Sequence, residues 1–249
     1  MTKILLNGAL GKMGQAVEAC VKERDDVMIA AGVDIAQGER IYPVYSCFVD
    51  VQEAVDVIVD FSNPLVLDDM LSFAVSRKIP VIICTTGFSE AQVEKIKATA
   101  QRIPVFYSGN MSLGINMLIT LSKMAAKVLA PTFDIEIIEK HHNQKLDAPS
   151  GTAVMIADAV AAVCENSNYV YDRHAYRKKR DHSEIGIHSV RGGTIVGEHE
   201  IIFAGHDEVL SIRHQAQSKG VFASGAVNAA VFMKDKPAGL YDMSDLLKG

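Results

Sequence analysis

The composition is that of an ordinary globular chain and argues against several classes of protein. Of its 249 residues, 49% are hydrophobic and 22% are charged, and the formal net charge is −5. A chain of this length can bury a large core, in one domain or in two. A nucleic-acid-binding protein usually presents a dominant basic face, so the negative charge argues against that role.

The first residues and the cysteines predict a cytoplasmic protein without a membrane span. MTKILLNGAL runs directly into an apolar strand and has no charged and apolar regions ahead of a cleavage site, so we expect no secretory signal. No uncharged apolar stretch approaches the roughly 18 residues that a spanning helix needs. The four cysteines, Cys20, Cys47, Cys84 and Cys164, form no CxxC pair, which favours free thiols over disulfides or a zinc site.

The first half of the chain alternates apolar strands with amphipathic helices. The predicted strands are Lys3–Asn7, Val27–Val33, Val55–Phe61, Val81–Cys84 and Val105–Tyr107. The predicted helices are Lys12–Glu23, Leu65–Arg77 and Ser89–Gln101. Apolar strands separated by helices indicate a parallel sheet that is covered on both faces.

The pattern changes near Ser112 and changes back near Gly220. Between them we predict helices at Leu113–Leu129 and Thr152–Glu165, and strands at Asp134–Glu139, Ile185–Val190, Thr194–Phe203 and Glu208–Gln215. Strands in which apolar and polar residues alternate predict a mixed or antiparallel sheet with one exposed face. The helical pattern from Gly220 is expected to pack back on the first domain, so we predict domains at 1–112 with 220–249, and at 113–219.

A glycine-rich turn joins the first predicted strand to the first predicted helix. Gly8, Gly11 and Gly14 have the spacing GxxGxxG, a variant of the dinucleotide-binding fingerprint, in the strand–turn–helix context that this fingerprint requires. The glycines would permit a tight turn, close approach to a pyrophosphate and close helix packing, while free N–H groups of the helix face the phosphates. The alternative is a plain glycine-rich turn.

Asp34 ends the second predicted strand, about 20 residues after the turn, where a carboxylate can bind the ribose hydroxyls of the cofactor. It would repel the 2′-phosphate of NADPH, and Ile35 and Ala36 follow it instead of an arginine. This pattern favours NADH, or use of both cofactors, although Lys12 can partly offset the repulsion. The alternative is a solvated turn aspartate.

Small polar segments follow two more strands of the first half. Cys84-Thr85-Thr86-Gly87 and Ser108-Gly109-Asn110-Met111 stand at the carboxyl ends of strands, where ligands bind in open α/β sheets. Their backbone is therefore a candidate lining for a nicotinamide pocket. Ordinary turns would have the same composition.

The loop from Glu139 to Thr152 is rich in groups that bind anions or transfer protons. Ser150 or Thr152 can cap the following helix, and Gly151 lets the backbone approach a ligand. Lys145 and the helix N-terminus together predict a carboxylate site, and a histidine beside it can exchange a proton near neutral pH. A metal site is disfavoured, because adjacent histidines without HExxH or a third nearby ligand rarely bind one; a merely solvated loop is the other alternative.

The same loop, with other segments in the same order, resembles the dihydrodipicolinate (4-hydroxy-tetrahydrodipicolinate) reductase family. The matching segments are GxxGxMG, TTGF at Thr85–Phe88, SxGxN at Ser112–Asn116, the loop Glu139–Thr152, and RGGTIVGEHEIIF at Arg191–Phe203. The resemblance covers nearly the whole chain. It implies a Rossmann-like dinucleotide-binding domain completed by the carboxy-terminal segment, a central α+β domain that binds substrate and oligomerises, and a homotetramer.

The resemblance also implies roles for individual residues. His141 would be the catalytic acid/base and Lys145 its proton-donating partner, and substrate carboxylates would be held by His142, Ser150, Gly151 and Thr152. The cofactor would be lined by Gly8, Ala9, Leu10, Gly11, Lys12, Met13, Asp34, Cys84, Thr85, Thr86, Ser108, Gly109, Asn110 and Met111. Three positions depart from the family pattern: Cys84 replaces a usual Gly, Met111 a common Phe, and Ile35 a basic residue of members that favour NADPH.

We therefore expect an NAD(P)H-dependent reduction of a small cyclic dicarboxylate in the diaminopimelate route to lysine, with no bound metal. Two rival functions are another two-domain dehydrogenase, of the aspartate or homoserine type, and a non-enzymatic NAD(P) sensor. The His-His-Lys loop argues against the first rival. A sensor has no need of an acid and a lysine beside a carboxylate site, which argues against the second.

Two sets of residues are expected to be structural. His188, His199, His206 and His214, in or beside the later strands, are expected to be surface or packing residues. Met117 and Met124 are expected to fill the core beside their helix.

Overall fold

The computed structural model describes residues 1–175 and 177–248 and divides the chain into two compact units. The first unit is Met1–Leu113 with Lys219–Gly249, and the second is Gly114–Ser218. Among the residues described, we find no helix long and apolar enough to cross a membrane.

Strands and helices follow the order that the hydrophobic periodicity indicates. The strands are β1 (Thr2–Asn7), β2 (Val27–Val33), β3 (Val44–Tyr45), β4 (Val57–Asp60), β5 (Val81–Ile83), β6 (Pro104–Tyr107), β7 (Asp134–His141), β8 (Asn168–Val170), β9 (Glu184–Arg191), β10 (Gly197–Ala204), β11 (Val209–Ala216) and β12 (Gly239–Tyr241). The helices are α1 (Lys12–Lys22), α2 (Leu67–Arg77), α3 (Glu90–Thr99), α4 (Leu113–Leu129), α5 (Gly151–Ala161), α6 (Gly220–Met233) and α7 (Met243–Lys248).

The first unit is built on a seven-stranded parallel sheet, in the order β12-β6-β5-β4-β1-β2-β3. The residues of β4 and β5 are buried throughout, because helices cover both faces of the sheet. One core forms with α1 and α6, and the other with α2 and α3. The predicted Rossmann-like architecture is confirmed, and α6 packs against α1 within this unit.

The second unit has a mixed five-stranded sheet, in the order β11-β10-β7-β9-β8. Strand β10 is antiparallel to β11 and β7, whereas β9 is parallel to β7 and β8. Burial alternates along β7 and β10, so one face of the sheet packs against α4 and α5. The mixed sheet predicted for this part of the chain is confirmed.

Several details differ from the sequence predictions, mostly at the ends of elements, and three of them are informative. The short strands β3, β8 and β12 carry too few residues to show a period, so they were not predicted. Strand β10 begins at Gly197 rather than Thr194, after a turn in which Gly193 has φ +49°. Met117 and Met124 lie on the exposed side of α4, so the expectation that they fill the core is wrong.

Candidate functional site

The glycine turn after β1 has a geometry that only glycine permits at two positions. Gly8 has φ +79°, and a Cβ there would lie 2.4 Å from the carbonyl oxygen of Phe61. A Cβ on Gly14 would lie 2.4 Å from the carbonyl oxygen of Gly8, so this glycine lets α1 start against the turn. Gly11 caps α1, whose first N–H groups can therefore receive an anion.

Asp34 at the end of β2 is tied to the glycine turn. Its Oδ2 accepts a hydrogen bond from the Leu10 amide at 2.8 Å, and its Oδ1 accepts one from the Ala36 amide at 2.9 Å. The carboxylate therefore fixes the shape of the turn and has lone pairs left for a ligand hydroxyl. Ile35 beside it is 88% exposed.

A cavity of about 800 Å³ opens beside this turn, within the first unit. Gly8, Gly11 and Asp34 line it together with apolar walls from Phe61 and Phe73. Such a cleft, apolar with a few polar groups at one end, has the size and lining of a nucleotide site. The tight turn at Gly8 and Gly14 has no room for a Cβ, and the first amides of α1 face outward from it. Both features fit the pyrophosphate of a dinucleotide cofactor.

The structure places the other predicted cofactor segments at the same edge of the parallel sheet. Cys84–Thr86 follows β5 and Ser108–Met111 follows β6, which pairs with β5. Cys84, Asn110 and Met111 are buried, whereas Thr86 and Gly109 are exposed, so the exposed backbone is the part a ligand can reach.

A buried hydrogen-bond network joins these strand ends below the surface. Asp60 at the end of β4 accepts a hydrogen bond from Asn7 Nδ2 at 2.8 Å, and the Thr85 hydroxyl accepts one from the Ser62 amide at 2.8 Å. Burial raises the pKa of Asp60, and its hydrogen bonds oppose that shift. The network fixes the ends of β1, β4 and β5 relative to one another.

In the second unit, a cluster of polar residues lies at the end of β7. It is on the sheet face whose other residues form the apolar core. His141 Nδ1 lies 2.6 Å from Oε2 of the buried Glu139. Arg191 at the end of β9 donates to both Glu139 oxygens, at 2.8 Å and 2.6 Å. Register explains the cluster, because His141 pairs with Arg191 in the parallel ladder and Glu139 pairs with His199 of β10.

Ser150 connects this cluster to the start of α5. Its hydroxyl accepts a hydrogen bond from the Ala153 amide at 3.1 Å, which caps the helix, and lies 3.0 Å from His199 Nε2. Its amide donates to Glu139 Oε1 at 3.1 Å. A Cβ on the next residue, Gly151, would meet only open space. Packing within the chain therefore does not require glycine there, and the N-terminus of α5 is accessible to a ligand.

The loop between β7 and α5 carries the predicted lysine. Lys145 Nζ lies 2.8 Å from Asp147 Oδ1, and the Lys145 amide donates to the His142 carbonyl at 3.2 Å. The Asp147 carbonyl in turn accepts a hydrogen bond from Arg191 at 2.7 Å. The loop is thus fastened to β9, with the ammonium group held by an exposed carboxylate.

The pKa values of this cluster follow from burial and charge. Burial opposes ionisation of Glu139, but hydrogen bonds from Arg191 and His141 outweigh it and lower its pKa to about 2. Burial lowers the pKa of His141, although Glu139 acts in the opposite direction. Burial and the neighbouring His141 lower the pKa of His199 to about 4. Near neutral pH the cluster therefore holds an ionised carboxylate beside neutral imidazoles.

Three members of the cluster were not assigned a role from the sequence, namely Glu139, Arg191 and His199. His199, expected to be a surface or packing residue rather than a metal ligand, is buried, and in addition it is hydrogen-bonded to Ser150. The sequence did contain one indication of this cluster. Glu139 alternates in step with Ile135 and Ile137, so its side chain is expected on the buried face of the strand. A buried carboxylate needs a cation or several donors.

The described residues contain no group of three or more His, Cys, Asp or Glu side chains arranged to hold a metal ion.

Comparison with known proteins decides the family. The family model for the N-terminus of dihydrodipicolinate reductase matches residues 2–111, and the model for its C-terminus matches residues 114–247. The chain belongs to the dihydrodipicolinate reductase family. It is therefore an oxidoreductase with a nicotinamide cofactor.

Relatives in this family cover the chain from end to end. The 4-hydroxy-tetrahydrodipicolinate reductase of Caldanaerobacter subterraneus is 51% identical over 100% of this chain and 99% of its own length. That of Clostridium tetani is 45% identical over 99% of this chain and 97% of its own. A dipicolinate-bound dihydrodipicolinate reductase from Paenisporosarcina sp. TG-14 has the same fold, with a TM-score of 0.80, 24% identity and 97% of each chain covered.

Proposed function

We propose that this chain uses NADH or NADPH to reduce 4-hydroxy-tetrahydrodipicolinate to tetrahydrodipicolinate, the reduction step of the diaminopimelate route to lysine. The observation that carries the proposal is that the end of β7 and the loop after it bring His141, Lys145 and the accessible N-terminus of α5 together beside the buried Glu139. This set suits a small dianion that must also receive a proton. The relatives' shared name and the resemblance of the motifs support the substrate.

The first unit is proposed as the dinucleotide-binding domain, with bounds near 1–112 and 220–249. The turn and α1 would hold the pyrophosphate through Gly8, Ala9, Leu10, Gly11, Lys12 and Met13. Asp34 would accept hydrogen bonds from the ribose and favour NADH. The exposed backbone near Thr86 and Gly109, with its neighbours Cys84, Thr85, Ser108, Asn110 and Met111, would line the nicotinamide.

The second unit, near 113–219, is proposed as the substrate domain. The amides of Gly151 and Thr152 at the start of α5, with Lys145 and His142, would bind the two carboxylates. Ser150 already uses its amide and hydroxyl within the unit, so its contribution is mainly to place the start of the helix. Two negative groups need such partners, which explains a cationic loop in an acidic protein.

The chemical step needs a proton at the substrate ring. The reduced nicotinamide supplies hydride when bound. The 4-hydroxyl of the substrate leaves as water, so one hydride and one proton enter the ring for each water released. We assign delivery of that proton to His141, with Lys145 assisting the transfer or reprotonating the histidine. Fixed positive groups around the site stabilise the negative charge that develops on the ring during the step.

An assay with the natural substrate tests this proposal. Loss of reduced-cofactor absorbance is followed after adding the freshly formed product of dihydrodipicolinate synthase. In the controls, aspartate or homoserine is added together with NAD⁺ or NADP⁺, and gain of reduced-cofactor absorbance is followed. We expect turnover only with the dihydrodipicolinate synthase product. Turnover with aspartate or homoserine would favour the rival dehydrogenase, and cofactor binding without turnover of any of them would favour a sensor.

We also propose a homotetramer that assembles through the second unit. Helices α4 and α5 pack on one face of its sheet, and Ile138 and Ile202 lie on the other face among charged residues. On α4 an apolar stripe is exposed, comprising Leu113, Met117, Leu121, Met124 and Val128. Burying these surfaces would favour association. A cytoplasmic location stays a prediction.

A further inference from the structure

A buried carboxylate lies directly behind the proposed catalytic histidine. The Glu139 side chain is fully buried, and its Oε2 lies 2.6 Å from His141 Nδ1. An isolated buried carboxylate is costly, so a chain that keeps one has arranged specific partners for it.

The surroundings of Glu139 keep it ionised. Arg191 binds both of its oxygens, and the Ser150 amide adds a third donor on Oε1. A bidentate guanidinium pair is among the strongest hydrogen-bonded arrangements in proteins. The carboxylate therefore faces the imidazole as an acceptor, not as a donor.

An acceptor at Nδ1 decides where the histidine carries its proton. We propose that Glu139 is a positioning residue, which binds the Nδ1–H of His141 and so makes Nε2 the nitrogen that exchanges the proton with substrate. The inference rests on the proposed function. It adds Glu139, held by Arg191, as the residue that orients the catalytic histidine. A carboxylate that orients a histidine in this way also stabilises the imidazolium, as in the Ser-His-Asp arrangement.

The space on the other side of the ring is consistent with this assignment. A Cβ added to Gly197 of β10 would lie 3.1 Å from His141 Nε2, so a side chain there would crowd the reacting nitrogen. Glycine at this position leaves Nε2 unobstructed on that side. The ring of His199 lies against that of His141 edge to face, with centroids 5.2 Å apart, and limits its rotation.

The charges around His141 set the direction of a pH effect. Glu139 raises its pKa, while burial and the positive charges of Lys145 and Arg191 lower it. His199, whose ring packs against that of His141, has a pKa of about 4 and is neutral near pH 7. Replacing Glu139 by glutamine removes the one group that favours the imidazolium, so the pKa of His141 must fall.

Steady-state kinetics of three variants test the role of Glu139. For Glu139→Gln we expect kcat to fall about 10–100-fold, the loss found when the hydrogen-bond partner of a metal-bound histidine is replaced. The alkaline limb of its pH profile, where the protonated His141 that donates to the ring is lost, should move to lower pH, while KM changes little. Glu139→Asp should recover part of the rate. Glu136→Gln is the matched control, because Glu136 lies on the same strand, faces the other way and pairs with Arg180 and His188.

The tautomer of His141 in the unmodified protein gives a test that does not depend on a variant's folding. With ¹⁵N-labelled histidine, and His141→Gln to assign the signal, we expect the proton on Nδ1. A proton on Nε2, or Glu139→Gln with wild-type kcat and pH profile, would overturn the inference. Neither result would disprove the proposed function, which fails only if the wild-type protein does not reduce the substrate.

Discussion

His141 ends β7 and Lys145 lies on the loop that follows, and the two should contribute differently to turnover. Positioned acid–base groups contribute about 10²–10⁴-fold, so His141→Ala should lower kcat by roughly that factor. Lys145→Ala should lower kcat and also raise KM, because its charge would both hold a carboxylate and assist proton transfer. Cofactor affinity should stay nearly constant, since the glycine turn lies in the other unit.

Steady-state kinetics and NADH titration separate these effects. His206→Ala is the matched control, because that side chain is 96% exposed and belongs to no part of the proposed site. If His141→Ala and Lys145→Ala fold normally and both keep turnover within about twofold, the loop is merely solvated and the mechanism is wrong.

Cofactor choice depends on the residue beside Asp34. The carboxylate of Asp34 holds the amides of Leu10 and Ala36, so removing it would damage the glycine turn as well as the ribose contact. Ile35→Arg is the cleaner change, because this side chain is exposed and a guanidinium there can pair with a 2′-phosphate. We expect wild type to prefer NADH. In the variant, the ratio of kcat/KM for NADPH to kcat/KM for NADH should rise by about tenfold, which is roughly the effect of one added charge-assisted hydrogen bond.

The comparison is kcat/KM for both cofactors in wild type and variant. Leu240→Arg adds the same group on β12, at the opposite edge of the sheet, and should leave the ratio unchanged. A wild-type enzyme that clearly prefers NADPH would refute the role given to Asp34.

At the scale of elements, strand β10 carries a buried histidine that makes stability depend on pH. His199 has a pKa of about 4 in the fold, against an ordinary value of 6.5. Above both values its protonation contributes nothing. As the pH falls from 6.5 toward 4, the unfolded chain binds a proton that the fold does not, so stability decreases, by about 2–3 kcal/mol at pH 4.5.

Replacing His199 with glutamine should remove this part of the pH dependence while keeping a polar partner for Ser150. The measurement is the fall in Tm between about pH 7 and about pH 4.5. His199→Gln should show a smaller fall than wild type, whereas His206→Gln should match wild type. An equal fall in all three proteins would contradict the neutral, buried state of His199.

Long helices and strands were predictable because one buried face makes their apolar residues recur at a regular spacing. Helix α4 was predicted with its observed bounds, and most long strands within a few residues. Strands β3, β8 and β12, of two or three residues, show no period and owe their pairing to neighbouring strands, whereas the equally short β5 was predictable because it is a continuous apolar run between helices. The exposed Met117 and Met124 show the converse limit, since an apolar side chain on a helix does not reveal whether the fold covers it.

The segment Glu139–Thr152 was predictable as a candidate site from its residue types. The side chains of other strands that surround it were not predictable. His141, Lys145 and Gly151 lie close in the sequence, so a motif displays them. Glu139, Arg191 and His199 come from three strands, and only the register of those strands brings them together. A cross-strand cluster of this kind leaves no spacing in the sequence.

For the whole molecule, we expect a tetramer built on the second unit. Light scattering at micromolar concentration should give four times the 27.0 kDa mass of the chain. Ile202→Lys, on the sheet face away from the helices, should lower that mass by placing a charge in the proposed interface. The control Leu240→Arg, in the first unit, should stay tetrameric. A 27.0 kDa particle for wild type would contradict the proposed assembly.

The central claim, hydride transfer from a nicotinamide to a ring dicarboxylate, has a direct measurement. The protein is given NADH deuterated at the transferring position, together with the freshly formed product of dihydrodipicolinate synthase, and the ring product is analysed by mass spectrometry. The account predicts deuterium on a ring carbon of tetrahydrodipicolinate, with one cofactor oxidised for each product formed. Cofactor oxidation without deuterium in the ring, or no ring reduction at all, would contradict it.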